Sequence, residues 1–130
     1  MSQNKENIFE YNGYSFEYDL ADADYSEKYE NAIEIMGKEE KDIPKTGKIS
    51  EIYRAQCGML KRFFDNVLGD GAGKKICGEK DNVTNHYTAY TAFLDFVSSQ
   101  RDRVLSAKNS FSKYSNRPVK KPTDHLKKKS

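Results

Sequence analysis

The side chains with chemistry to offer are few. They are two cysteines, Cys57 and Cys77, two histidines, His86 and His125, and a glycine-rich run with two lysines, Gly69-Asp70-Gly71-Ala72-Gly73-Lys74-Lys75. The run has the composition of a phosphate-cradling loop, in which backbone amides and one lysine hold a polyphosphate. Its spacing excludes that chemistry. The pattern needs a glycine five positions before Gly73, where Leu68 stands, and a serine or threonine after the first lysine, where Lys75 stands. A phosphate loop also follows a strand, whereas the residues ahead of this one have a helical period. The run reads instead as a bent connector whose free amides meet a partner. Gly71, Gly73, Lys74 and Lys75 are its candidate partner-binding residues.

Neither histidine stands at metal-ligand spacing from a cysteine or a carboxylate, so no metal site is expected. Carboxylate pairs such as Asp22/Asp24 and Glu39/Glu40 fall at helix starts and on solvated faces. Acid–base work by them would need an apolar pocket to raise one pKa, and the sequence marks none. The reading is a protein with no cofactor and no catalytic residue. Cys57 is expected beside the apolar face of its helix and Cys77 in a more exposed place. Neither is marked as a nucleophile. The opening MSQNKENIFEYNG has no apolar run after its first lysine, and no window approaches the ~20 apolar residues of a membrane span. A cytoplasmic protein with reduced thiols and no membrane partner is therefore expected.

Four stretches must position these groups. The central one runs from Ile49, with apolar residues at Ile49, Ile52, Tyr53, Leu60, Phe63, Phe64 and Val67. Steps of three and four make this a helix with one buried face, ended by Gly69 in a left-handed conformation; Thr46 or Ser50 is its candidate start. Ahead of it, Ile8–Glu10 and Tyr14–Tyr18 flank Asn12-Gly13, the signature of a type I′ hairpin. Its strands alternate aromatic and acidic residues. The aromatic face is read as core packing, and the open edges as able to take a strand from a second molecule. Asp22 and Asp24 then start a helix with a stripe of Tyr25, Tyr29, Ala32, Ile33 and Met36, which must stop before Pro44. After the glycine run comes one helical turn anchored by Ile76. A third helix, capped by Asp81 or Asn82, has the stripe Val83, Tyr87, Tyr90, Phe93/Leu94, Val97, Arg101 and Val104/Leu105. Past Ser106 the pattern thins to Phe111 and Tyr114, and the helix is expected to fray or dock elsewhere.

Charge is divided along the chain. Residues 1–50 hold 12 acidic and 6 basic side chains, a net of −6, and residues 51–130 hold 8 and 16, a net of +8. That polarity favours salt-sensitive, head-to-tail association. The segment from Asn116, NRPVKKPTDHLKKKS, has six basic residues, one acid and almost no apolar content, which predicts a disordered tail. It offers phosphates or an acidic protein surface a binding arm, but lacks the interleaved aromatics of a single-strand binder.

The segments Phe9–Asp24 (FEYNGYSFEYDLADAD), Glu27–Ala32 (EKYENA), Phe63–Gly78 (FFDNVLGDGAGKKICG) and Tyr90–Val97 (YTAFLDFV) resemble a family of short proteins encoded in prophages and tailed phages of Gram-positive bacteria. The resemblance spans residues 8–105. In outline the family is similar to tail assembly chaperones, which coat the tape-measure protein while the tail tube polymerises. It implies a non-enzymatic protein of the bacterial host cytoplasm that self-associates and binds the tape measure. The partner-facing surface would then be Tyr87, Tyr90, Phe93 and Phe96, with Gly69–Gly78 as an adaptable loop. Deleting the hairpin would abolish oligomers and leave the helices folded. Two alternatives stand beside it. One is an anti-defence protein that inhibits a bacterial immune nuclease, with acidic residues 10–42 mimicking nucleic acid. The other is a nucleic-acid-binding accessory protein using the basic tail.

The fold expected is mainly α (α+β), an N-terminal β-hairpin followed by a three-helix bundle. The divisions are a flexible N-terminus 1–7, one helical domain 8–115 and a disordered basic tail 116–130.

Overall fold

The computed structural model describes residues 5–115, so the expected disorder of the tail, and of residues 1–4, lies outside the described residues. Residues 5–7 are not a loose lead-in. They form a 3-10 turn whose Glu6 carbonyl accepts hydrogen bonds from Gln100 Nε2 at 3.0 Å and Arg103 Nη2 at 2.8 Å.

Strands β1 (Ile8–Tyr11) and β2 (Tyr14–Glu17) pair antiparallel, with Phe9 opposite Phe16 and Tyr11 opposite Tyr14. Asn12 and Gly13 turn the chain at φ of 55° and 81°, the two positive values that a type I′ turn requires. This register puts all four aromatic residues on one face, and that face packs on a helix. Tyr18 follows the hairpin and is buried completely.

Helix α1 (Ala23–Lys41) starts on Asp22, whose carboxylate accepts the Asp24 amide at 2.9 Å. Helix α2 (Ile49–Leu68) is the central helix, but neither Thr46 nor Ser50 caps it: Lys48 holds the cap position without a side-chain bond. Its buried face begins at Cys57 and runs through Leu60, Phe63, Phe64 and Val67. Ile49 and Tyr53 belong to the same stripe, yet both are exposed. Gly69 ends α2 at φ 110° and ψ 158°, beyond the left-handed helical region and open to glycine alone.

The glycine run folds as a short helix, α3 (Ala72–Cys77), with Ala72, Gly73, Ile76 and Cys77 all buried. Helix α4 (Val83–Ser115) is continuous for 33 residues, so the expected fraying past Ser106 does not occur. Asn82 caps it, accepting the Asn85 amide at 3.0 Å.

The core is an aromatic cluster centred on Phe93. Phe9, Tyr18, Phe63 and Phe64 meet its ring with centroids 5.1–6.0 Å apart and planes 68–82° from parallel. These are edge-to-face contacts, each adding to the area buried. The hairpin is therefore part of the core. Its removal would uncover Phe93, contrary to the expectation that the helices stand without it. No helix among the described residues is long and apolar enough to cross a membrane.

Candidate functional site

The four aromatic residues assigned to a partner surface do not share one fate. Phe93 is fully buried at the centre of the core and unavailable to a partner. Phe96 and Tyr90 pack against that core, with Phe96 beneath Phe9 and Tyr90 on Phe63 at 5.2 Å. Tyr87 alone of the four is exposed. The sequence stripe shares Phe93 and Val97 with the true seam but stands one position off it at Tyr87, Tyr90 and Arg101, because it counted apolar residues. The buried positions of α4 are His86, Ala89, Phe93, Val97 and Gln100.

The glycine run is likewise no adaptable loop. A Cβ at Gly73 would lie 2.3 Å from the Lys61 carbonyl oxygen, so α3 sits backbone to backbone on α2. The Gly73 amide donates to Asp65 Oδ1 at 2.8 Å, and the Lys75 carbonyl accepts Asn12 Nδ2 at 3.1 Å from the hairpin turn. Gly71 holds φ 90° at the start of α3. Lys74 and Lys75 are exposed, and the Lys75 ammonium stands over the Tyr14 ring at 5.6 Å.

Two features remain with something to do. The first is the second half of α4. Phe93, Val97, Gln100, Val104, Ala107 and Phe111 follow one another in steps of four, three, four, three and four, a heptad seam. Up to Gln100 that seam is buried within the molecule. From Arg101 to Ser115 no residue is buried, and Val104, Leu105 and Phe111 are 42%, 52% and 70% exposed. Fifteen residues make about 22 Å of helix, with an apolar face turned to solvent. Arg101, Arg103 and Lys108 flank the seam, and Arg103 already pairs with Glu6 at 3.3 Å.

The second is a cluster no linear spacing announces. Cys57 from α2, Asp81 from the connection into α4 and His86 from its first turn each bring one ligand atom within 4.8 Å of the others. Cys57 and His86 are fully buried and Asp81 is at the surface. His86 Nδ1 lies 2.7 Å from the Asn82 carbonyl, which can only accept, so the ring proton sits on Nδ1. Nε2 is then a bare lone pair, buried and without a hydrogen-bond partner. Lys61 Nζ pairs with Asp81 Oδ1 at 3.2 Å and leaves the other carboxylate oxygen free of that bond.

Burial sets the protonation of this cluster. It raises the Cys57 thiol, with Asp81 adding to the effect and Lys61 opposing it. It lowers His86, although the Asn82 hydrogen bond favours the charged ring. At neutral pH the pair is thiol and neutral imidazole, the opposite of the thiolate–imidazolium pair a nucleophilic cysteine needs. Cys77 is nearby, buried rather than exposed as its sequence suggested, and pushed up to about 12 by burial. Burial thus favours the protonated form of both thiols. The signal for the cluster was not in the spacing of 57, 81 and 86. It was in His86 falling on the α4 seam seven residues before Phe93, facing α2.

Taken together, these elements define a mainly helical protein with an N-terminal hairpin built into the core and a long last helix whose end is uncovered. The chain belongs to a family of unknown function, DUF6673, whose model matches residues 12–128. Comparison with curated proteins and with solved structures gave no match.

Proposed function

We propose that this chain is a non-enzymatic factor in virion morphogenesis, a tail assembly chaperone of a tailed phage that binds the tape-measure protein and self-associates along it. The observation that carries the reading is the uncovered half of the α4 seam. An apolar stripe at heptad spacing fits another helix, here one on a second copy of the chain. Copies joined in that way would coat a tape measure, a long, helical and aggregation-prone chain. Basic side chains beside the seam favour an acidic groove over a second identical seam, because like charges at the flanking positions repel.

The chain has an acidic helix face. Asp24, Glu27, Glu30 and Glu34 are exposed on α1, and Ile35 beside them is 41% exposed. A basic seam on one copy meeting an acidic face on the next is a heterologous contact, which closes into rings or runs on as a filament. Either form suits a protein that must coat a long partner. The hairpin motif and its resemblance to phage proteins agree with this role.

Co-expression with the tape-measure protein of the same phage tests it. The reading expects both proteins to purify together with many copies of this chain per partner, and expects Val104→Glu with Phe111→Glu to lose the partner. A tape measure that ignores the chain, or co-purification unchanged by the double variant, would overturn it.

A further inference from the structure

We propose that Cys57, Asp81 and His86 form a binding site for a zinc-class divalent cation. Each of the three supplies a different donor, sulfur, oxygen and nitrogen, and that mixture selects a borderline cation. Magnesium and calcium want oxygen throughout, and copper(I) wants sulfur. The geometry is that of ligands already turned toward one another. Their donor atoms lie within 4.8 Å, and a tetrahedral zinc site, with bonds of about 2.0–2.3 Å, draws its donors to roughly 3.5 Å, so binding closes the cluster by about 1 Å.

The buried histidine is the independent sign. Metal-ligating imidazoles hand their second ring proton to a carbonyl or carboxylate, which fixes the tautomer and leaves the other nitrogen for the metal. His86 does this with Asn82. Nε2 then has no partner in a place where an unpaired polar atom costs stability. A cation supplies the missing partner.

Charge agrees. Binding breaks the Cys57 S–H bond, releases that proton to solvent and forms a metal–sulfur bond. One thiolate and one carboxylate then face the two positive charges, with a neutral imidazole as third ligand, and the cation competes with the Lys61 ammonium for Asp81. The exposed Asp81 gives the route of entry from solvent. A water or a partner's side chain completes the tetrahedron. Closing the site ties α2 to the start of α4, the helix whose far end carries the uncovered seam.

Cobalt(II) is the probe, added to the reduced full-length chain freed of other metals. Binding gives a thiolate-to-cobalt charge-transfer band in the near ultraviolet and the d–d bands of a tetrahedral site, at one ion per chain, bleached by zinc. Cys57→Ser removes the charge-transfer band and Cys77→Ser keeps it. Asp81→Asn, a change at the surface that leaves the core alone, weakens binding by about tenfold or more. No charge-transfer band in the parent chain would overturn the proposal. So would a band that survives Cys57→Ser, one that depends on Cys77, or an affinity that Asp81→Asn does not alter.

Discussion

Gln100 Nε2 donates to the Tyr18 carbonyl at 2.7 Å, across 82 residues of sequence. The same side chain accepts the Leu20 amide through Oε1 at 2.9 Å, and Nε2 also reaches the Glu6 carbonyl. One amide thus satisfies the chain ends of the hairpin on both sides. It stands on the α4 seam where burial stops, and it divides the inward half of that helix from the outward half.

Gln100→Leu would keep the volume and remove these partners, leaving a buried amide and a buried carbonyl unpaired. Each such group costs about 1–3 kcal/mol, so a loss of about 3 kcal/mol is expected. The check is the urea midpoint at unchanged slope. A variant as stable as the parent would mean that water replaces the glutamine without cost.

Gly73→Ala tests the approach of α3 to α2. In an open helix the change would stabilise by up to about 1 kcal/mol. Here the new methyl group meets the Lys61 backbone at 2.3 Å, which cannot swing away as a side chain could. Overpacking of this kind costs about 1–3 kcal/mol, so the sign reverses to a net loss. Thermal unfolding decides it, and a raised melting temperature would contradict the packing described.

Phe93 and Phe111 are a matched pair on one helix, about five turns apart. Phe93→Ala empties the centre of the aromatic cluster and should cost about 3–5 kcal/mol. Phe111→Ala lies on the exposed half and should stay within about 0.5 kcal/mol of the parent. Equal losses at both positions would place Phe111 in a core that the structure does not contain.

Burial raises Tyr18 well above the ordinary tyrosine value, and raises Tyr90 in the same direction. A folded-state pKa above the unfolded one means that the contribution is complete below the unfolded value, about 10, and is lost as pH rises through and beyond it. Stability measured by urea should therefore fall steadily above about pH 10. Tyr18→Phe should flatten that slope while removing the Tyr18 hydroxyl bond to the Tyr25 carbonyl, which is 3.3 Å in the parent. An unchanged slope in the variant would assign the alkaline loss to other groups.

The hairpin, the start of α1 at Asp22 and the end of α2 at Gly69 were legible because each is written in local chemistry: Asn-Gly, an acidic cap, a glycine after an apolar stripe. The seam of α4 was misread by one position because two of its buried residues, His86 and Gln100, are polar. Period-counting of apolar side chains passes over such residues. Phe93 was on the expected stripe, and it was the family resemblance that assigned it to a partner surface, whereas it is the centre of the core. The cluster of Cys57, Asp81 and His86 was invisible for another reason. Its members come from two helices and a connection, and only the packing of α4 on α2 brings them together. Gly73 suggested flexibility, whereas the packing uses its missing side chain for contact.

The central claim is that the uncovered seam of α4 is an association surface with a charged rim. Sedimentation velocity of the full-length chain, with and without Val104→Glu and Phe111→Glu, tests it most directly. The account predicts a concentration-dependent assembly in the parent chain, weakened by added salt and reduced to monomer in the double variant, whose helical content and melting temperature match the parent. A parent chain that stays monomeric at every concentration, or a double variant that assembles as the parent does, would contradict it.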